Sequence, residues 1–138
     1  MKDYDNVQHE LDKIYLGQLP AICTVVGLYY SFITLTHFFF LPDAILFPIA
    51  ATSALTAVAA FVLRALIKLE RIGAAHSHLA FAPIALLVLT TVYTHIYLAQ
   101  EQHQLTNATL VLFSFGLVTL SPAYFTILCG LCVALFVS

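Results

Sequence analysis

Charge is scarce in this chain. Of 138 residues, five are Lys or Arg and seven are Asp or Glu, so 9% are charged against 62% hydrophobic, and the mean hydropathy is +0.97. A water-soluble domain carries about 25% charged residues. With so few, no folded form of this chain can cover its surface with ionic groups, and the class is integral membrane protein. Five cations and a formal net charge of −2 also exclude a nucleic-acid partner, which needs a dense basic patch.

Other absences narrow the function. The opening "MKDYDNVQHELDKIY" is polar and acidic, with neither the short apolar core nor the small-residue cleavage site of a secretory signal. Cysteine is limited to Cys23, Cys129 and Cys132, all in apolar segments. The "LCGLC" spacing matches a C-x-x-C motif, but a thiolate is costly in hydrocarbon and no second ligand pair follows. These cysteines are therefore expected to be small apolar helix residues. There is no HExxH, phosphate-binding loop, Gly-x-Ser-x-Gly or buried carboxylate pair, so catalysis by this segment is not expected. Inverted repeats, low-complexity linkers and loops long enough for a soluble domain are also missing, which disfavours a transporter and leaves one helical bundle.

What is present is a series of long apolar runs. A hydrocarbon core of about 30 Å takes about 20 residues of helix. Candidate spans run from Pro20 to Leu41, Ala44 to Leu66, Leu79 to Ala99 and Leu105 to Leu120. A fifth follows Ser121-Pro122 and is still apolar at "LFVS". Natural spans finish at polar or aromatic anchors, so five visible spans and a sixth in a longer parent are expected. Pro20 suits a helix's opening turn. Lys2, Lys13, Arg64, Lys68 and Arg71 all fall on one side of this arrangement, which the positive-inside rule makes cytoplasmic, with the N-terminus inside.

Ahead of the first span, Tyr4, Val7, Leu11, Ile14 and Tyr15 recur at the spacing of one helical face among Asp, Glu and Lys. Residues 1–16 are read as an amphipathic cytoplasmic leader helix and 17–138 as the transmembrane bundle. The fold class is all-α.

This layout resembles the multi-span N-terminal membrane domains of bacterial signalling proteins: GGDEF-type diguanylate cyclases, nucleotidyl cyclases and sensor histidine kinases. The likeness rests on the Tyr15, Gln18, Leu19, Pro20 opening, a second span ending at Arg64, Asn107 early in the fourth segment, and the Ser121-Pro122 turn. It extends over nearly the whole chain as a pattern, without a GGDEF, HAMP or kinase signature. It implies a homodimeric input domain in the bacterial inner membrane, coupled in cis to a cytoplasmic cyclase or kinase output.

Ionisable residues inside a membrane are costly and are functional candidates by default. His37 lies four residues before Leu41 and His95 four before Ala99, on spans that run in the same direction. At 1.5 Å per residue both rings should sit about 6 Å inside the same boundary. Tyr30 and Thr34 share a face with His37, Thr91 and Gln102 share one with His95, and Asn107, Ser114 and Ser121 recur every seven residues. Such stripes are expected to bond across helices inside the bundle. Tyr30, Thr34, Thr91 and Asn107 are thus the candidate sensing residues around the pair.

Three readings of the pair remain open. Each ring can simply bond a hydroxyl or backbone carbonyl. His37 and His95 can be axial ligands of a b-type haem between facing helices, in a pocket lined by Gly27, Tyr30, Phe38 and Tyr93, for redox sensing or electron transfer. Or His37, His95 and His103, with Asp43 and Glu101 nearby, can hold zinc or copper or respond to protons. At the opposite side, His76 and His78 beside Arg71 read as a polar cap on the third helix, with cytosolic pH sensing as the alternative.

Overall fold

From Ile14 to Pro42 the sequence contains no Asp, Glu, Lys or Arg. Backbone amides in so apolar a stretch must find their partners within the segment, which only a helix allows. The computed structural model describes residues 2–99, together with Ala123, Thr126, Ile127, Cys129, Gly130 and Ala134, each helical. The expected fourth span, most of the fifth, and with them Gln102, His103, Asn107, Ser114, Ser121 and Cys132, lie outside the described residues. Three helices organise the rest: α1 (Lys2–Phe40), α2 (Asp43–Lys68) and, after a single 3-10 turn over Ala74–His76, α3 (Ser77–Ala99).

Helix α1 has 39 residues, about 58 Å at 1.5 Å per residue, nearly twice a hydrocarbon core. The expected leader is therefore not a separate helix but the first turns of α1. Pro20 does not open a helix either: it stands inside α1. Its missing N–H deprives the Leu16 carbonyl of its usual partner. Of the apolar face expected for the leader, Tyr15 is buried against the bundle, while Val7 and Ile14 are more than half exposed. The buried stripe of α1 is instead Tyr15, Leu19, Cys23, Gly27, Tyr30 and His37, at steps of three, four or seven residues.

The chain reverses between α1 and α2 without glycine. Leu41 N–H donates to the His37 carbonyl at 3.0 Å, the last bond of α1, and Pro42 then takes an extended conformation that caps α2. Asp43 in the first turn of α2 places a negative charge at the positive end of its dipole. At the other end of α2, Glu70 N–H donates to the Ile67 carbonyl at 2.9 Å and Arg71 N–H to the Leu66 carbonyl at 3.0 Å. That paired pattern is a Schellman stop, whose left-handed residue is normally glycine. Here it is Glu70, at φ 55°.

The three helices run alternately up and down. Helix α2 packs along both neighbours, whereas α1 and α3 meet more sparsely. At Gly27 α1 comes close to a side chain of α2: a Cβ built there would meet the Phe61 ring at 2.8 Å. One apolar cluster joins Leu19, Cys23 and Tyr30 to Ala57, Ala60, Phe81 and Val88. Cys23 is buried and Cys129 half-buried, both as free thiols.

The outer surface is as apolar as the core. Phe39, Phe40 and Phe47 are each 80% or more exposed, and Leu28, Phe32, Leu35 and Val62 also face outward. Among the described residues, three helices are long and apolar enough to cross a membrane, with only 22%, 33% and 39% of their most apolar windows buried. Water solvates such a surface poorly and lipid solvates it well. The described structure is therefore an all-helical bundle with three candidate membrane-spanning helices.

Candidate functional site

His37 and His95 meet. Their ring centroids lie 4.9 Å apart with the planes tilted by 47°. His37 approaches from the last turn of α1 and is 6% exposed; His95 comes from α3 and is half-buried. Both sit at the end of the bundle where α1 turns into α2. The expectation of matching height rested on two counts of four residues, and the antiparallel course of α2 returns the chain so that α3 repeats the direction of α1.

Each ring has a defined hydrogen-bonding condition. His95 Nδ1 lies 3.2 Å from the Thr91 carbonyl one turn back. A carbonyl only accepts, so Nδ1 carries the proton and the neutral ring keeps its lone pair at Nε2. His37 Nδ1 is buried with no hydrogen-bond partner among the described residues. A buried polar atom left without a partner costs about 1–3 kcal/mol.

The surrounding hydroxyls behave differently from expectation. Thr34 Oγ1 donates to the Tyr30 carbonyl at 2.7 Å, Thr91 Oγ1 to Leu87 at 2.9 Å and Thr94 Oγ1 to Thr90 at 2.7 Å, each within its own helix. Back-bonding to the carbonyl four residues earlier satisfies a hydroxyl in lipid without a neighbour. Cross-helix bonding is represented by Thr56 and Thr91, whose oxygens are 3.5 Å apart between α2 and α3. Tyr30 is buried on the same stripe as His37, edge-on to Tyr29 at 5.3 Å. Thr34 lines a cleft of about 300 Å³ between α1 and α2, together with Phe38, Asp43, Phe47 and Ala54. Tyr93 stacks on Tyr97 with centroids 6.1 Å apart.

A haem does not fit between these rings. Metal–imidazole bonds of about 2 Å put each ring centroid about 3 Å from the ion, so trans ligands stand about 6 Å apart. At 4.9 Å and a 47° tilt the rings are in contact, and no flat macrocycle passes between them. Among the described residues, no group of three or more His, Cys, Asp or Glu side chains is placed to share a metal ion. The same bond lengths give centroids about 5 Å apart for two imidazoles on a tetrahedral ion.

A second polar centre occupies the opposite end of the bundle, around His78, with partners the sequence reading did not name. His78 is buried, and its ring lies flat against Tyr15 with centroids 4.0 Å apart and planes within 10°. Its Nε2 is 3.4 Å from Asp12 Oδ1, which also accepts from Gln8 Nε2 at 2.8 Å. His78 is thus no surface cap, whereas His76 is exposed. The signal in the sequence was Asp12 itself, a carboxylate three residues before Tyr15 on the stripe that continues through Leu19 and Cys23. The two centres are separated along α1 by 25 positions, about 38 Å.

No family model, curated protein or solved structure matches this chain.

Proposed function

We propose that the chain is a membrane sensory or regulatory input domain whose stimulus site is the His37–His95 pair. The observation that carries this reading is the contact itself: two titratable, metal-competent rings from α1 and α3 at one end of an apolar bundle, one of them buried with a nitrogen that has no partner among the described residues. Polar groups in such a place are functional by default. A route for the signal accompanies the site. Helices α1 and α3 touch at His37–His95 and again at Tyr15–His78, with α2 packed along both. A change of spacing at the first contact therefore tilts α3 against α1 and loads the second.

In this reading the N-terminus lies in the cytoplasm of a bacterial cell, on the side of the basic residues, and the two imidazoles lie toward the outer leaflet. The chain crosses the inner membrane five times and passes the change as a homodimer to a cytoplasmic cyclase or kinase output. The one-sided placement of Lys2, Lys13, Arg64, Lys68 and Arg71 supports the orientation.

The test is a distance measurement across the far end. Spin labels at the exposed positions Val7 and Leu79, with the native cysteines replaced by alanine, report the separation of α1 and α3 beside Tyr15–His78. Acidification or zinc should change that distance in the otherwise unaltered chain and leave it unchanged in His37→Ala. A distance insensitive to every condition would sink the input reading.

A further inference from the structure

Resting on the reading of this pair as an input site, we propose that His37 and His95 together bind a divalent cation of the zinc class. Three independent features converge. The 4.9 Å centroid separation is what two imidazoles adopt on one tetrahedral ion, about 5 Å for metal–nitrogen bonds of about 2 Å. The bond from His95 Nδ1 to the Thr91 carbonyl is the outer-shell contact that orients a ligating histidine and leaves Nε2 free to bind. And His37, 6% exposed, keeps a buried Nδ1 with no partner among the described residues, so that a ligand there satisfies an atom that otherwise carries a desolvation cost.

Imidazole nitrogen selects borderline ions such as zinc over calcium or magnesium, which take oxygen. Asp43, in the first turn of α2 at the same end of the bundle, supplies the nearest formal negative charge along the chain from His37. Two imidazoles leave two tetrahedral positions to water. Structural zinc sites are closed by four protein ligands, while open sites keep exchangeable ones. A two-histidine site therefore binds reversibly, as a sensor must, and releases its ion when the imidazoles protonate.

The experiment is a cobalt titration of the purified full chain in detergent micelles, followed by displacement with zinc. Tetrahedral cobalt absorbs strongly in the visible range and so reports geometry as well as occupancy. One site is expected, weakened more than about tenfold in His37→Ala, His95→Ala and the milder His37→Gln, and unchanged in His9→Ala and His76→Ala. In the unaltered chain, zinc should shift the ring-nitrogen resonances of two of the six histidines together, a result that does not depend on any variant folding. Binding of equal strength in both alanine variants, loss of binding in His76→Ala, or no paired resonance shift would each overturn the cation site. Failure of this inference is separable from failure of the input reading. If zinc does not bind but acidification still moves the Val7–Leu79 distance through His37, only the cation is wrong. If zinc binds and nothing moves, the site is real and the input role is not.

Discussion

Tyr15 and His78 lie face to face, 4.0 Å between ring centroids and 10° from parallel, joining α1 to the first turn of α3. Tyr15 is 1% exposed, so truncation removes both a stacked partner and a filled volume. Tyr15→Ala should cost about 3 kcal/mol or more, with about 0.5–1.5 of that from the ring pair. Tyr15→Phe keeps the stack and should stay within about 1 kcal/mol of the parent. Reversible unfolding in mixed micelles measures both; equal losses would show that the hydroxyl, not the ring, matters.

Gly27 of α1 lies against the Phe61 ring of α2. An added Cβ meets the end of the Phe61 ring at 2.8 Å, and that ring is partly exposed and free to swing outward. Gly27→Ala should therefore cost little, whereas Gly27→Leu should cost about 1–3 kcal/mol by overpacking. A cross-linking pattern between the two helices that is identical in Gly27→Leu would contradict the close approach.

Glu70 holds the left-handed position of the stop after α2. Left-handed backbone costs a non-glycine residue about 1–2 kcal/mol. Glu70→Gly should raise unfolding stability by about 1 kcal/mol, less the greater freedom of glycine in the unfolded chain, while Glu70→Val should lower it. Thermal melts of the three proteins side by side decide the sign.

The His37–His95 contact should be pH-dependent. With both rings neutral they rest against each other; two imidazolium charges at 4.9 Å repel by about 3 kcal/mol at an effective dielectric constant of about 20. Stability measured from pH 8 to pH 5 should decline more steeply in the parent than in His95→Gln. Parallel profiles would mean that the rings do not sense one another.

Much of this architecture is legible in the sequence. The charge-free run from Ile14 to Pro42 demanded a helix, and the counts of four residues that placed His37 and His95 at one height agree with their contact. Less legible was the leader, which continues into the first span as one helix; of its apolar face, Tyr15 is buried while Val7 and Ile14 stay exposed. An apolar face on a helix near lipid does not say whether protein or membrane covers it. The hydroxyl stripes divide: Thr34 satisfies itself on its own helix, so its alignment required no neighbour, whereas Thr91 also reaches Thr56 of α2.

Composition and run length alone determined that this chain is helical and belongs with membranes, because so few charges cannot clothe a water-facing surface and long apolar runs must close their own hydrogen bonds. Only the tertiary structure decided how each helix is rotated about its axis. In lipid the outside of a helix is as apolar as its inside, so no hydrophobic period marks the core. The meeting of His37 with His95, and of His78 with Asp12 and Tyr15, therefore depends on how α1, α2 and α3 pack together.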